Sequence, residues 1–240
     1  MARTLEIRHG SGTVRLAVPS GARLPIIEHG IRQDLAAEKD LAAGLRRALA
    51  PLKGVQGAGG EFAKAAAGRH LALLVDDATR SEPHAAAVQA CLELCAAVKP
   101  AKVTAFVCTG THEPALPENV ALAAELRSAI AASAFPSAEL VVHDCRGAMA
   151  ERGRTSRGTR VLVNAQSEQA DVFLAISDMK NHYFAGYSNP VKGLVPGISG
   201  FETARGNHAL ALDPRSTFGF HPWHPDPARR ENPLPDIPEK

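Results

Sequence analysis

His70-Leu71-Ala72-Leu73-Leu74-Val75-Asp76, running straight into Asp77-Ala78-Thr79-Arg80, is the stretch on which the fold turns. The apolar run is short, almost unbroken and closed by a polar turn. A strand with one wet face would alternate, so this pattern predicts a central strand of a parallel sheet, buried on both faces.

Working outward, Pro83 to Val98 reads as a helix, Lys102 to Cys108 as a strand, Pro117 to Ala132 as a helix and Glu139 to Asp144 as a strand. That alternation means βαβ units with right-handed crossovers, whose functional loops leave the carboxyl ends of the strands. Arg160 to Val163 and Val172 to Ile176 read as two further short strands. The predicted class is α/β, with a largely parallel, doubly wound, Rossmann-like sheet.

Upstream, Leu5 to Val18 alternates around Gly10-Ser11-Gly12 and predicts an N-terminal β-hairpin. Asp40 precedes Leu41, Leu45 and Leu49 as the cap of an amphipathic helix stopped by Pro51, and a second helix is expected from Glu61 to Ala67, ending at Gly68. Downstream of Asp213 stand seven of the chain's seventeen prolines, too many for regular structure. The chain is therefore divided into a domain over 1–212 and a Pro-rich C-terminal arm or linker over 213–240.

Composition narrows the function classes. With 240 residues, 45% hydrophobic and 22% charged, the chain has the make-up of a soluble globular protein. A net charge of only +2 leaves no electrostatic footprint for nucleic acid. No run approaches a membrane span, and Met1 to Arg8 is charged where a signal peptide needs an apolar core, so a cytoplasmic protein is expected. Cys91, Cys95, Cys108 and Cys145 are scattered unlike a disulfide framework or a zinc knuckle and read as buried free thiols.

Three polar clusters follow apolar strands: Asp76-Asp77-Ala78-Thr79-Arg80, Thr109-Gly110-Thr111-His112-Glu113-Pro114, and Asn181-His182-Tyr183-Phe184-Ala185-Gly186-Tyr187-Ser188. In a parallel sheet their loops emerge at one edge and converge. Taken singly, Asp76 and Asp77 read equally well as helix caps, and His112 as a structural histidine. Lys192 is different. It lies in Pro190-Val191-Lys192-Gly193-Leu194-Val195-Pro196-Gly197, an apolar Gly/Pro-rich loop suited to a lysine in covalent or phosphate chemistry, although the spacing is not that of a Walker loop.

The combination discriminates. Asp77-Ala78-Thr79-Arg80, Thr109-Gly110-Thr111-His112, His182 through Ser188, Lys192, Pro196-Gly197 and Asn207-His208 resemble, in order and spacing, the nickel-pincer-nucleotide-dependent lactate racemase family in its N-terminal domain. Lys192 follows His182 by ten residues and precedes His208 by sixteen, the family's spacing. The resemblance implies a cofactor-binding domain holding a pyridinium-3-thioamide-5-thiocarboxylic acid mononucleotide tethered to Lys192. Nickel would be bound by one ring carbon, two sulfurs and His208, a donor set suited to that metal. His112 and His182 correspond to the two acid/base histidines, and Arg80 to a substrate-site arginine with Asp77 its neighbour in the motif.

The implied activity is racemisation or epimerisation of a small 2-hydroxy acid by proton-coupled hydride transfer. A base is then needed for each face from which hydride returns, and a guanidinium such as Arg80 can grip the carboxylate meanwhile. Two departures stand out: Asn189-Pro190-Val191 replaces the family's usual Gly-Gly-Arg before the lysine, and the family carries a second α/β domain that closes over the cofactor. The expectation is a racemase whose partner is a small 2-hydroxy acid, with a second-domain chain as a further partner. The alternatives are a truncated or split cofactor-binding homologue, inactive alone, and a hydrolase with another metal at the histidines.

Overall fold

The computed structural model describes residues 3–9, 12–18, 47, 58–80, 82–177, 180–188, 190–221 and 224–234. The chain divides into two units, Met1–Glu38 and Lys39–Lys240. In the first, β1 (Arg3–His9) and β2 (Gly12–Val18) pair antiparallel with Leu5 opposite Leu16, which is the expected hairpin. Apart from Arg47, the helix expected after Asp40 lies outside the described residues.

The second unit opens with α1 (Ala58–Ala66) and β3 (His70–Asp76). There follow α2 (His84–Val98), β4 (Lys102–Cys108), α3 (Pro117–Ala131) and β5 (Glu139–Val142). Then come β6 (Met149–Arg154), β7 (Arg160–Asn164), β8 (Val172–Ile176), β9 (Lys180–His182), β10 (Gly186–Ser188) and α4 (Phe201–Ala209). The main sheet has the order β5-β4-β3-β8 and every pairing in it is parallel. Helix ends follow local chemistry: α2 stops where Lys99 turns left-handed ahead of Pro100, and α3 starts with Pro117, whose missing N–H has no partner to lose there.

Alternate residues of β3 supply two cores. Leu71, Leu73 and Val75 pack with Val88, Leu92, Leu122 and Leu126 beneath α2 and α3, while Ala72 and Leu74 face Phe106, Leu194 and Ile198. Both crossover helices thus share one face, and the irregular segment around Lys192 covers the other. Truncating a fully buried member such as Leu73 to alanine is worth about 2–5 kcal/mol. All four cysteines are free and buried, and burial pushes the Cys91 and Cys95 thiols up to about 12.

β7 pairs antiparallel with β6 in a separate ribbon, and β9 with β10 in another. Residues 213–234 fold back: the Asn232 side-chain amide donates to the carbonyls of Phe184 (2.9 Å) and Phe220 (2.8 Å), and Asn207 donates to Leu234 O (2.9 Å). Among the described residues no helix is long and apolar enough to cross a membrane.

Candidate functional site

Strand order reverses at β3, whose neighbours β4 and β8 lead away on opposite sides, and loops at the carboxyl end of such a switch point are where open α/β sheets hold ligands. There Ser177 Oγ, just past β8, donates to Asp76 Oδ2 at 2.7 Å and ties the two loops. The next residue, Asp77, is only 3% exposed. Its Oδ1 accepts from the Thr79 backbone N–H (3.3 Å) and hydroxyl (2.6 Å), and its Oδ2 accepts from His112 Nδ1 at 2.7 Å. Arg80 Nη1 in turn donates to Thr79 Oγ1 at 3.1 Å. A carboxylate on Nδ1 requires the proton there, so neutral His112 presents an unprotonated Nε2 from a half-exposed ring.

The Thr109-Gly110-Thr111-His112 turn is held from both sides. Gly110, at φ +57°, donates its N–H to Gly197 O at 2.9 Å, joining the turn to the segment that carries Lys192. Buried His143 bonds through Nε2 to Ser199 O (2.9 Å) and through Nδ1 with the Asn164 side-chain amide (3.2 Å), while its own carbonyl accepts from Thr109 Oγ1 (2.7 Å). Burial lowers the His143 pKa and keeps the ring neutral.

Lys192 sits in a 3-10 turn, Pro190–Gly193, and its carbonyl accepts from Gly197 N at 2.7 Å. The glycines here are steric requirements. A Cβ on Gly197 would collide with the Gly193 carbonyl, and one on Gly193 would press on Leu74 at 3.2 Å. The sequence read this loop through its lysine; the structure adds that its apolar, glycine-rich character comes from covering the second face of the sheet.

His182 ends β9, and the Ala185 backbone N–H donates to its Nδ1 at 3.3 Å. The neutral ring therefore carries its proton on Nε2. Its pKa is pushed down to about 4, first by burial and then by the electrostatic influence of Lys192, His208 and Arg80. Phe184 lies edge-on to both His182 (4.4 Å between centroids) and His208 (5.9 Å). In α4, His208 Nδ1 donates to Ala204 O at 2.8 Å, which leaves Nε2 as a lone-pair donor. Among the described residues no group of three or more His, Cys, Asp or Glu side chains could hold a metal ion.

The six residues singled out in the sequence thus fall into two linked sets. Asp77, Arg80 and His112 come from the loops after β3 and β4; His182, Lys192 and His208 come from the region after β8. Sequence reasoning missed the Asp77–His112 contact and missed Asn119, whose buried side chain bridges Ala78 and Glu113. An Asp-x-Thr turn hints at a fixed carboxylate, but no local signal names its distant partner.

A family model described as the lactate racemase N-terminal domain matches residues 9–219. Among curated proteins, the lactate racemase of Lactiplantibacillus plantarum is 27% identical over 148 residues, 60% of this chain and 34% of the relative. That of Thermoanaerobacterium thermosaccharolyticum is 25% identical over 143 residues, 58% of this chain and 32% of the relative. The chain thus spans about a third of the length of the curated relatives it matches. Among solved structures, the lactate racemase apoprotein of T. thermosaccharolyticum superposes with a TM-score of 0.63 at 21% identity, covering 90% of this chain and 49% of that one. A Thermotoga maritima protein superposes with a TM-score of 0.53 at 16% identity, covering 82% and 45%.

Proposed function

The chain belongs to the lactate racemase family through its N-terminal domain, and from that premise we propose that it provides the cofactor-holding and proton-transferring residues of a racemase or epimerase of small 2-hydroxy acids. The observation that carries this reading is that His112 is braced by Asp77 at the carboxyl edge of the sheet, in a turn bonded to the segment that carries Lys192, while His182 and His208 both stand edge-on to Phe184.

The residues fit a nickel-pincer nucleotide. His208 has one nitrogen fixed by Ala204 O and the other free to bind a divalent metal. Lys192 would be the covalent tether and His208 the protein's nickel ligand; when bound, the group supplies a hydride acceptor.

The chain's own residues account for the rest. Arg80 would hold the substrate carboxylate in a two-point grip so that either face of the 2-carbon can be presented. His112, with Nε2 unprotonated and Nδ1 held by Asp77, would take the hydroxyl proton as hydride leaves the same carbon. His182, neutral at working pH because burial and then the Lys192 charge disfavour its charged form, would serve the opposite face. A hydrolase using another metal at the histidines is one alternative, and zinc on unmodified protein would mark it. The remaining alternative is a homologue that holds the cofactor without turning over alone.

The test is to produce the chain with the nickel-pincer nucleotide, measure intact mass and metal content, and assay lactate racemisation with and without a second-domain chain added in trans. A covalent adduct on Lys192, stoichiometric nickel and racemisation with the added domain are expected. Unmodified protein containing zinc would overturn the reading, and adduct without turnover in either assay would leave the cofactor-binding homologue.

A further inference from the structure

We infer that Asn119 is a positioning residue, a buried amide clamp that holds the loop after β3 against the loop after β4 and thereby keeps the Asp77 carboxylate on His112 Nδ1. The function of the clamp rests on the 2-hydroxy acid reading above; its geometry does not.

Asn119 is the third residue of α3. Asparagine in a first helical turn ordinarily caps its own backbone or faces water. Here the residue is 1% exposed. Its Oδ1 accepts the Ala78 N–H at 3.2 Å, and its Nδ2 donates to the Glu113 carbonyl at 3.1 Å. Ala78 immediately follows Asp77, and Glu113 immediately follows His112. One side chain therefore grips the backbone one residue beyond each member of a pair whose side chains meet at 2.7 Å.

The two partners also fix the amide's orientation. A backbone N–H demands the oxygen and a carbonyl demands the nitrogen, so a flipped amide would set donor against donor and acceptor against acceptor. Only a primary amide of this length meets both demands: aspartate lacks the donor, serine is too short, and leucine leaves the Ala78 N–H unpaired and the Glu113 carbonyl with the Leu116 N–H alone. Without the clamp the loops would still be anchored by their strands, but the short contact between Asp77 and His112 would lose its brace. His112 would then be free to move its proton to Nε2, the nitrogen the proposed reaction needs bare.

The experiment reads the His112 tautomer directly, by two-bond proton–nitrogen correlation spectra of the full 15N-labelled chain, with His112→Gln to assign the signal and Asp77→Asn as the reference for a lost brace. The unsubstituted chain should show the Nδ1–H form in excess. Asn119→Ala, with native strand resonances, should shift the ring towards the Nε2–H form as Asp77→Asn does. A folded Asn119→Ala with an unchanged tautomer overturns the clamp. Should that variant not fold, the unsubstituted chain decides: the Asn119 side-chain amide protons must exchange slowly with water and cross-relax with Glu113, and fast exchange overturns the proposal. None of these readouts needs cofactor or turnover, so a failed racemisation assay would sink the functional reading and leave the clamp standing.

Discussion

His112 and His182 come to the site with the same assigned task and opposite surroundings. His112 is half exposed, lies next to a buried carboxylate and has its proton fixed on Nδ1, so its Nε2 is bare. His182 is partly buried near the Lys192 charge and takes an N–H from Ala185 on Nδ1, so in the neutral ring Nε2 carries the proton. The difference teaches that two groups proposed to serve two faces of one substrate need not be built alike. His112 is set as a proton acceptor as it stands. His182 becomes one only by exchanging its Ala185 contact and shifting its proton, which ties its activity to the Lys192 and His208 side of the cleft.

The largest effect should come from removing that side altogether. Lys192→Ala is expected to abolish covalent cofactor attachment, whereas His208→Ala should keep the organic group and lose nickel, because tether and metal bond are separate chemical links. Intact mass spectrometry with metal quantification on both variants checks it. Equal loss of the organic group in both would break the division of roles.

Next in size are the histidines themselves. His112→Ala and His182→Ala should each lower racemisation by roughly a hundred- to ten-thousandfold in cofactor-loaded protein supplied with its second domain, the usual worth of a positioned acid/base group. Asp77→Asn should cost less, about ten- to a hundredfold, on the scale of one hydrogen bond to a charged group. It should also act only through His112, so that adding it to His112→Ala changes nothing further. A full additive loss in the double variant would show that Asp77 has a second task in the site.

Much of this comparison was legible before any coordinates. The run from His70 to Asp76 announced its strand because both its faces are buried, β4 was bounded as observed for the same reason, and β8 was bounded as observed from its unbroken apolar run although Phe173 is exposed. β6 escaped notice because Met149-Ala150-Glu151-Arg152-Gly153-Arg154 is mostly exposed and charged, held by pairing with β7 rather than by an apolar face. Glu139 to Asp144 was drawn two residues too long: the last paired residue is Val142, although the His143 N–H still donates to Val107 O. In the site, the residues proposed to carry chemistry were singled out through motif order. Residues that position them were not: Asn119 is an ordinary asparagine in sequence, and its two partners lie 41 and six positions away.

The smallest effect is the sharpest probe of His182. Burial is the first cause of its lowered pKa and the Lys192 charge the second, so Lys192→Met, which keeps most of the side-chain volume, should raise the pKa from about 4 without restoring the ordinary 6.5. The sign carries through to stability. Above 6.5 the ring is neutral in both folded and unfolded chains and contributes nothing. Between 6.5 and about 4 the unfolded chain binds a proton that the folded site refuses, so stability falls as pH drops through this window and levels off below it. With the lysine charge gone the window narrows from its lower end, and Lys192→Met should lose less stability than the parent between pH 7.5 and pH 5. NMR titration of His182 gives the pKa, and urea midpoints at the two pH values give the stability difference. An unmoved His182 pKa in the variant would mean that Lys192 does not bear on this ring, and the electrostatic contrast between the two histidines would reduce to burial alone.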